Sequence, residues 1–170
     1  MNVYCDGCAI NNGKPNVYGG YGVYFPKYIH LNISEPFILN NCTNQRTEIY
    51  AMYIALKIID EISSIDEISS INEISSIDEI YIYSDSIYTI KCITEWIPKW
   101  EKNNWKKSDG KDVLNKDLLL LLWDQYNLVK TIRSIKLIHI NSHTGKTDEH
   151  SLGNKEADRL AVNGANKKLK

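Results

Sequence analysis

At 170 residues, with 43% hydrophobic and 24% charged side chains, the chain has the size and composition of one folded domain, and it holds no run of about 18 uninterrupted apolar residues able to span a bilayer. Its net charge of −1 excludes a uniformly cationic surface; yet residues 60 to 80 carry seven acids and no base, and removing those seven negative charges leaves +6 on the remainder. The N-terminus MNVYCDG has no basic segment followed by an apolar block, so a soluble, intracellular protein without membrane association is expected; a monomer is expected as well.

In chain order, residues 2 to 8, 19 to 25 and about 31 to 39 read as three strands separated by turn-rich stretches such as NNGKPN, the pattern of an antiparallel meander. Cys5, Cys8, Cys42 and Cys92 are expected to stay reduced, because a chain with a core of this size needs no stapling. The Cys5-x-x-Cys8 pair has no second Cys/His pair at zinc-finger spacing and closes a strand instead of opening a helix, so neither metal nor redox use is assigned to it. Ile49, Met52, Tyr53, Leu56 and Ile59 recur at steps of three and four, which predicts an amphipathic helix over residues 45 to 59 with Thr43 or Asn44 as its cap.

The next segment, EISSIDEISSINEISSIDEI, repeats with period six. Isoleucine at every third position drifts by about 60 degrees per step around a helix, so no single face is held. It reads as a low-complexity insertion at about 61–79, a helical extension or a protruding loop. Beyond it come a strand at 80 to 84, helices at 86 to 97 and 117 to 129, a strand at 134 to 141, and a helix at 154 to 168 burying Ala157, Leu160, Ala161 and Ala165. This order predicts an α/β domain with a mixed five-stranded sheet flanked by helices.

Four acids fall at the ends of these elements: Asp6, Glu48, Asp85 and Asp158. Each has a local explanation. Asp6 precedes a glycine and suits a turn, Glu48 in the first turn of its helix answers the macrodipole, Asp85 can close a strand, and Asp158 can be a solvated first-turn acid. Side by side they need more, because clustered carboxylates repel unless a cation compensates them. Oxygen donors without thiols or paired histidines suit Mg²⁺, with Mn²⁺ as a substitute, and two such ions about 4 Å apart can activate a water and stabilise a leaving oxygen in phosphodiester hydrolysis.

YCDG with Asn12-Gly13, TNQRTEI at 43 to 49, IYSDSIYTI at 82 to 90, ITEWIPKWEKNNWKKSDGKDVLNKDL at 93 to 118, and SHTG with GNKEADRLAVNGA at 142 to 165 together resemble type I ribonuclease H (ribonuclease HI). The likeness covers nearly the whole chain apart from the hexad repeat. It implies a ribonuclease H-like fold, three antiparallel strands followed by two parallel ones, filling residues 1–170 as a single catalytic domain. It also implies an endoribonuclease that cuts the RNA strand of RNA/DNA hybrids and leaves 5′-phosphate and 3′-hydroxyl ends. Asp6, Glu48, Asp85 and Asp158 match the family's acids that hold two Mg²⁺ ions. His143 matches its mobile histidine, suited to proton transfer. The longer loop before Asp158 adds His150 as a second candidate.

The resemblance further implies that Asn12, Asn44 and Gln45, with backbone groups near Ala9 and Asn11, contact the minor-groove edge and ribose hydroxyls of the RNA, and that Ser86 beside Asp85 joins the substrate-binding set. Trp96, Trp100 and Trp105, interleaved with Lys99, Lys102, Lys106 and Lys107, form an aromatic and basic patch for the DNA backbone. Thr43 and Asn115 match a phosphate pocket, in which Asn41 stands where the family often has arginine. The 170 residues show no separate N-terminal hybrid-binding module, so affinity is expected from the catalytic domain alone and cleavage should be salt-sensitive. The alternatives are an inactive hybrid-binding or structural domain, and another nuclease or strand transferase of the same fold, such as a resolvase or integrase core.

Overall fold

Period-two alternation in NVYCDGCAI sends Val3 and Cys5 to one side and Tyr4 and Asp6 to the other, and this strand, β1 (Asn2–Ile10), forms the middle of the sheet. The computed structural model describes residues 1–66, 79–142, 145 and 147–167. β1 pairs antiparallel with β2 (Tyr18–Tyr24), and β2 antiparallel with β3 (Ile33–Phe37). On its other edge β1 pairs parallel with β4 (Glu79–Ser84), which pairs parallel with β5 (Ser134–His139), giving the order β3-β2-β1-β4-β5. The mixed pattern is the one expected from the order of elements.

α1 (Asn44–Asp66) and α4 (Lys116–Lys130) cover one face, where Val3, Cys5, Val23 and Ile82 meet Ile49, Met52, Leu56, Leu119 and Leu122 in the main core. α5 (Glu149–Ala165) covers the other, over a smaller cluster of Tyr4, Tyr83 and Ala157. α5 lies against the sheet because β2 presents glycine there. A Cβ on Gly22 would stand 2.3 Å from the carbonyl oxygen of Ala157, so no larger residue fits at this spacing. Between β4 and α4, α2 (Ile87–Lys91) runs through a π turn at Cys92–Trp96 into α3 (Ile97–Lys102).

Several boundaries differ from expectation. Residues 29–31 form a 3₁₀ turn, so the third strand is shorter than 31 to 39, and β5 stops at His139 instead of 141. α1 continues to Asp66, into the hexad repeat, because Ile59 and Ile62 still reach the core face; residues 67–78, the rest of the repeat, lie outside the described residues. α5 begins at Glu149, five residues before the expected 154, since Asp148 caps it by accepting a 3.0 Å hydrogen bond from the Ser151 backbone N–H. All four cysteines are free, and among the described residues no helix is long and apolar enough to cross a membrane.

Candidate active site

β1 outruns β4. The parallel ladder ends at Tyr4–Tyr83, whose rings stack 4.9 Å apart; two residues further on come Asp6, still in β1, and Asp85, the first residue past β4. The sheet register therefore puts both acids at the carboxyl end of the parallel pair, the place where open α/β sheets carry their chemistry. Asp6 is 8% exposed, with Oδ1 accepting a 2.7 Å hydrogen bond from the Gly7 N–H. Burial pushes its carboxyl well above the usual range, and the charges of Asp85, Asp158 and Glu48 push it further.

Glu48 arrives from the opposite layer. Gly7 lets α1 press onto β1, since a Cβ there would stand 2.2 Å from the Thr47 backbone carbon and 2.3 Å from the Glu48 nitrogen. Its Oε2 accepts a 2.6 Å hydrogen bond from Ser86 Oγ, and its Oε1 one of 3.1 Å from Asn44 Nδ2. Burial raises the Glu48 pKa, the Ser86 bond opposes that rise, and the Asp85 charge adds to it. Glu48 lies just past the first turn of α1. Asp158 sits deep in α5, not in the first turn, because that helix starts early; its charge reaches Asp6. The structure thus brings the influence of the other three acids onto Asp6. Among the described residues no three of the His, Cys, Asp and Glu side chains form a group that could hold a metal ion as they stand. The donor chemistry fits a hard divalent ion nonetheless: the charges acting most strongly on Asp6 are all carboxylates, and a buried set of like charges is relieved by a cation that takes oxygen ligands.

Of the two candidate histidines, His143 lies outside the described residues. His150 is engaged by two tyrosines: its ring stacks 4.5 Å from that of Tyr83, and Nδ1 is 3.0 Å from the Tyr4 hydroxyl. The early start of α5 puts it there.

The polar residues expected at the RNA largely bind the protein itself. Asn44 Oδ1 accepts from the Ala9 N–H at 3.1 Å, and Asn12 Oδ1 from the Asn44 N–H at 3.3 Å, so the β1–β2 turn is tied to the start of α1. Ser86 is 5% exposed; its hydroxyl serves Glu48 and accepts from the Thr89 N–H, which places it behind the acid, where the resemblance had put it among the substrate contacts. Thr43 Oγ1 accepts from the Arg46 N–H at 3.3 Å. Asn115 precedes α4 in the left-handed region at φ 58°, and Asn41 does so before α1 at φ 56°.

Two contributors escaped the sequence reading. Arg46, 7% exposed, holds Asp117 with bonds of 2.8 and 2.6 Å, pinning the start of α4 to that of α1. Asn154, 5% exposed, donates from Nδ2 to Asp85 Oδ2 at 3.3 Å. Its spacing of four from Asp158 was the available signal, since such residues share a helix face.

A groove of about 640 Å³ is lined by Gln45, Tyr88, Trp96, Lys99, Trp100, Lys106 and Lys107 among others. Trp96 and Trp100 lie 5.7 Å apart, Trp100 and Trp105 6.5 Å, and Lys116 rests over the Trp105 ring at 5.4 Å. The patch is thus a continuous aromatic wall with lysines at its rim. Lys106 is tied to Asp112 at 2.6 Å, and Lys102, exposed at the end of α3, is not among the residues lining the groove.

The family model for RNase H matches residues 1–166. The chain belongs to the RNase H family. It is 36% identical to Ribonuclease H1 of Rattus norvegicus over 163 residues, 96% of this chain and 49% of that protein. It is 33% identical to Ribonuclease HI of Haemophilus ducreyi over 167 residues, 98% of this chain and 90% of that one. The chain spans about half the length of the mammalian relatives it matches. Among solved structures it resembles a foamy viral protease-reverse transcriptase in complex with an RNA/DNA hybrid, at 25% identity and a TM-score of 0.67 over 97% of this chain and 20% of that one. The RNase H family is in general dependent on divalent metal ions.

Proposed function

We propose that this protein is an endoribonuclease that hydrolyses the RNA strand of RNA/DNA hybrids, leaving 5′-phosphate and 3′-hydroxyl ends, with residues 1–166 as its catalytic domain. The observation that carries this reading is the arrival of Asp6, Glu48 and Asp158 from three different elements around the end of β4, where Asp85 stands. These four acids would hold two divalent ions, Mg²⁺ by preference with Mn²⁺ as a substitute. When bound, the ions supply an activated water and neutralise charge on the leaving oxygen. Hydrogen bonds to both Glu48 oxygens fix that carboxylate before any ligand arrives, which lowers the reorganisation needed on binding.

The groove walled by Trp96 and Trp100, with Trp105 packed beside Trp100, takes the DNA strand. Aromatic faces and lysines grip a backbone without reading its sequence, as a nuclease acting on any hybrid requires. Asn12 and Gln45, with the backbone of the β1–β2 turn, face the minor groove of the RNA, and Thr43 with Asn115 receives a phosphate; His143 moves the proton at the leaving group. Cleavage of a labelled hybrid, a double-stranded RNA and a double-stranded DNA in Mg²⁺, by wild type and Asp85→Asn, tests the assignment. Hybrid cutting by wild type alone is expected, while equal cutting of double-stranded DNA, or full activity of Asp85→Asn, would refute it.

A further inference from the structure

Asp85 directly follows β4, whose last paired residue is Ser84, so no strand pairing fixes its side chain. Among the described residues its carboxylate has one side-chain hydrogen-bond donor, Asn154 Nδ2 at 3.3 Å, supplied from the far layer by α5. The reach is possible because α5 sits unusually close at this level: next to Asn154, a Cβ on Gly153 would stand 2.4 Å from the Tyr4 ring, and Tyr4 stacks on Tyr83. One turn further along the same helix face is Asp158. α5 therefore delivers an acid and a neutral amide to one site, and couples Asp158 to Asp85 through a rigid element.

The amide is only half satisfied. Asn154 Oδ1 is buried with no hydrogen-bond partner among the described residues. A buried acceptor left in this state weakens the fold, and an apolar side chain of similar volume would not. An aspartate here would add a fifth negative charge beside Asp6 and Asp85. Asparagine is the residue type that donates to a carboxylate without charge and nearly fits the space, at the cost of one orphaned oxygen.

We propose that Asn154 is a positioning residue for Asp85, selected for the orientation of that carboxylate toward a divalent ion and against the stability of the fold. This rests on the reading of the four acids as an ion site. Groups that orient metal-binding carboxylates from behind alter ion affinity by roughly 10- to 100-fold when removed.

The test uses the full chain as wild type, Asn154→Leu and Asn154→Ser. Melting in EDTA reads the fold, calorimetric titration with Mg²⁺ and Mn²⁺ without nucleic acid reads the ion site, and hybrid cleavage against Mg²⁺ concentration reads the reaction. Asn154→Leu is expected to melt at or above the wild-type temperature in EDTA, yet to bind ions at least about tenfold more weakly. The Mg²⁺ concentration for half-maximal cleavage should rise in step. Asn154→Ser, too short to reach Asp85, should show the same loss of ion affinity, and it carries the test if the leucine variant does not fold. Ion affinity unchanged in the folded variants, with wild type binding normally, would overturn the role of Asn154 alone. A wild type that binds no ion would instead sink the ion-site reading beneath it.

Discussion

Ser86 Oγ donates a 2.6 Å hydrogen bond to Glu48 Oε2, joining the second residue past the end of β4 to a helix that packs on β1. The same hydroxyl accepts from the Thr89 N–H and so caps α2. Ser86→Ala therefore has two separable effects. Loss of the cap should lower stability by about 1 kcal/mol. Loss of the bond to Glu48 removes a contact that favours its charged form, so the Glu48 pKa rises further and the acid limb of the rate–pH profile moves to higher pH. Cleavage near neutral pH should fall roughly 10- to 100-fold, and Ser86→Thr, which keeps the hydroxyl, should recover most of it. A lowered melting temperature with an unmoved pH profile would reduce Ser86 to a cap.

Asp6 sets stability against function. Its folded-state pKa lies well above the ordinary carboxylate value, so the folded protein holds this proton more tightly than the unfolded chain does. The stability it contributes is fully present below the unfolded pKa and is lost as pH rises through the folded pKa. In EDTA, Asp6→Asn should therefore melt several degrees above wild type at pH 8, at about 2–4 °C per kcal/mol for a protein of this size, with the gap closing as pH approaches 4. Added Mg²⁺ should raise the wild-type melting temperature and leave the variant nearly unmoved. An Asp6→Asn protein that melts lower in EDTA at pH 8 would contradict the electrostatic account.

The sheet and most helices were legible because period-two and period-3.6 patterns report burial directly, and Asp6 was legible because an acid in the middle of a central strand breaks its pattern. What escaped was set by contacts distant in sequence. The Asp148 cap starts α5 early, which turns His150 from a second candidate for proton transfer into a ring packed on Tyr83. Asn44 and Ser86 are polar residues next to acids, and sequence cannot tell whether such groups face a ligand or the acid itself. Only the close approach permitted by Gly7 shows that both are spent on Glu48.

The tryptophan groove separates binding from chemistry. Trp100 touches both neighbouring tryptophans and lies in the wall of a groove that none of the four acids lines. Trp100→Ala should raise KM for a hybrid by tenfold or more, given about 1–3 kcal/mol for an aromatic contact with a nucleic acid strand, while leaving kcat within a few-fold. Lys99 lines the same groove without an ion-pair partner among the described residues, unlike Lys106. Lys99→Ala should lower the slope of log affinity against log salt by about one, and Lys106→Ala by less. A fall in kcat with KM unchanged for Trp100→Ala would move the groove into the catalytic step.

Residues 67–78 join the end of α1 to the start of β4, and both attachment points lie far from the acids. Glu48 is near the first residue of α1 and Asp66 is its last, a separation of about 27 Å along the axis at 1.5 Å per residue. On β4 the junction is at Glu79, whose backbone oxygen accepts a 2.6 Å hydrogen bond from the Met1 ammonium, while Asp85 follows the opposite end of that strand. Replacing 67–78 by a short flexible linker should therefore leave kcat and KM on a hybrid within about twofold of wild type, because loop-closure entropy changes by only about 0.6 kcal/mol per doubling of length. The bonds that hold Glu48, from Ser86 and Asn44, and Asp85, from Asn154, all lie outside the replaced segment. A loss of turnover beyond tenfold, in a protein that still melts cooperatively, would give the repeat a part in catalysis that its attachment points do not predict.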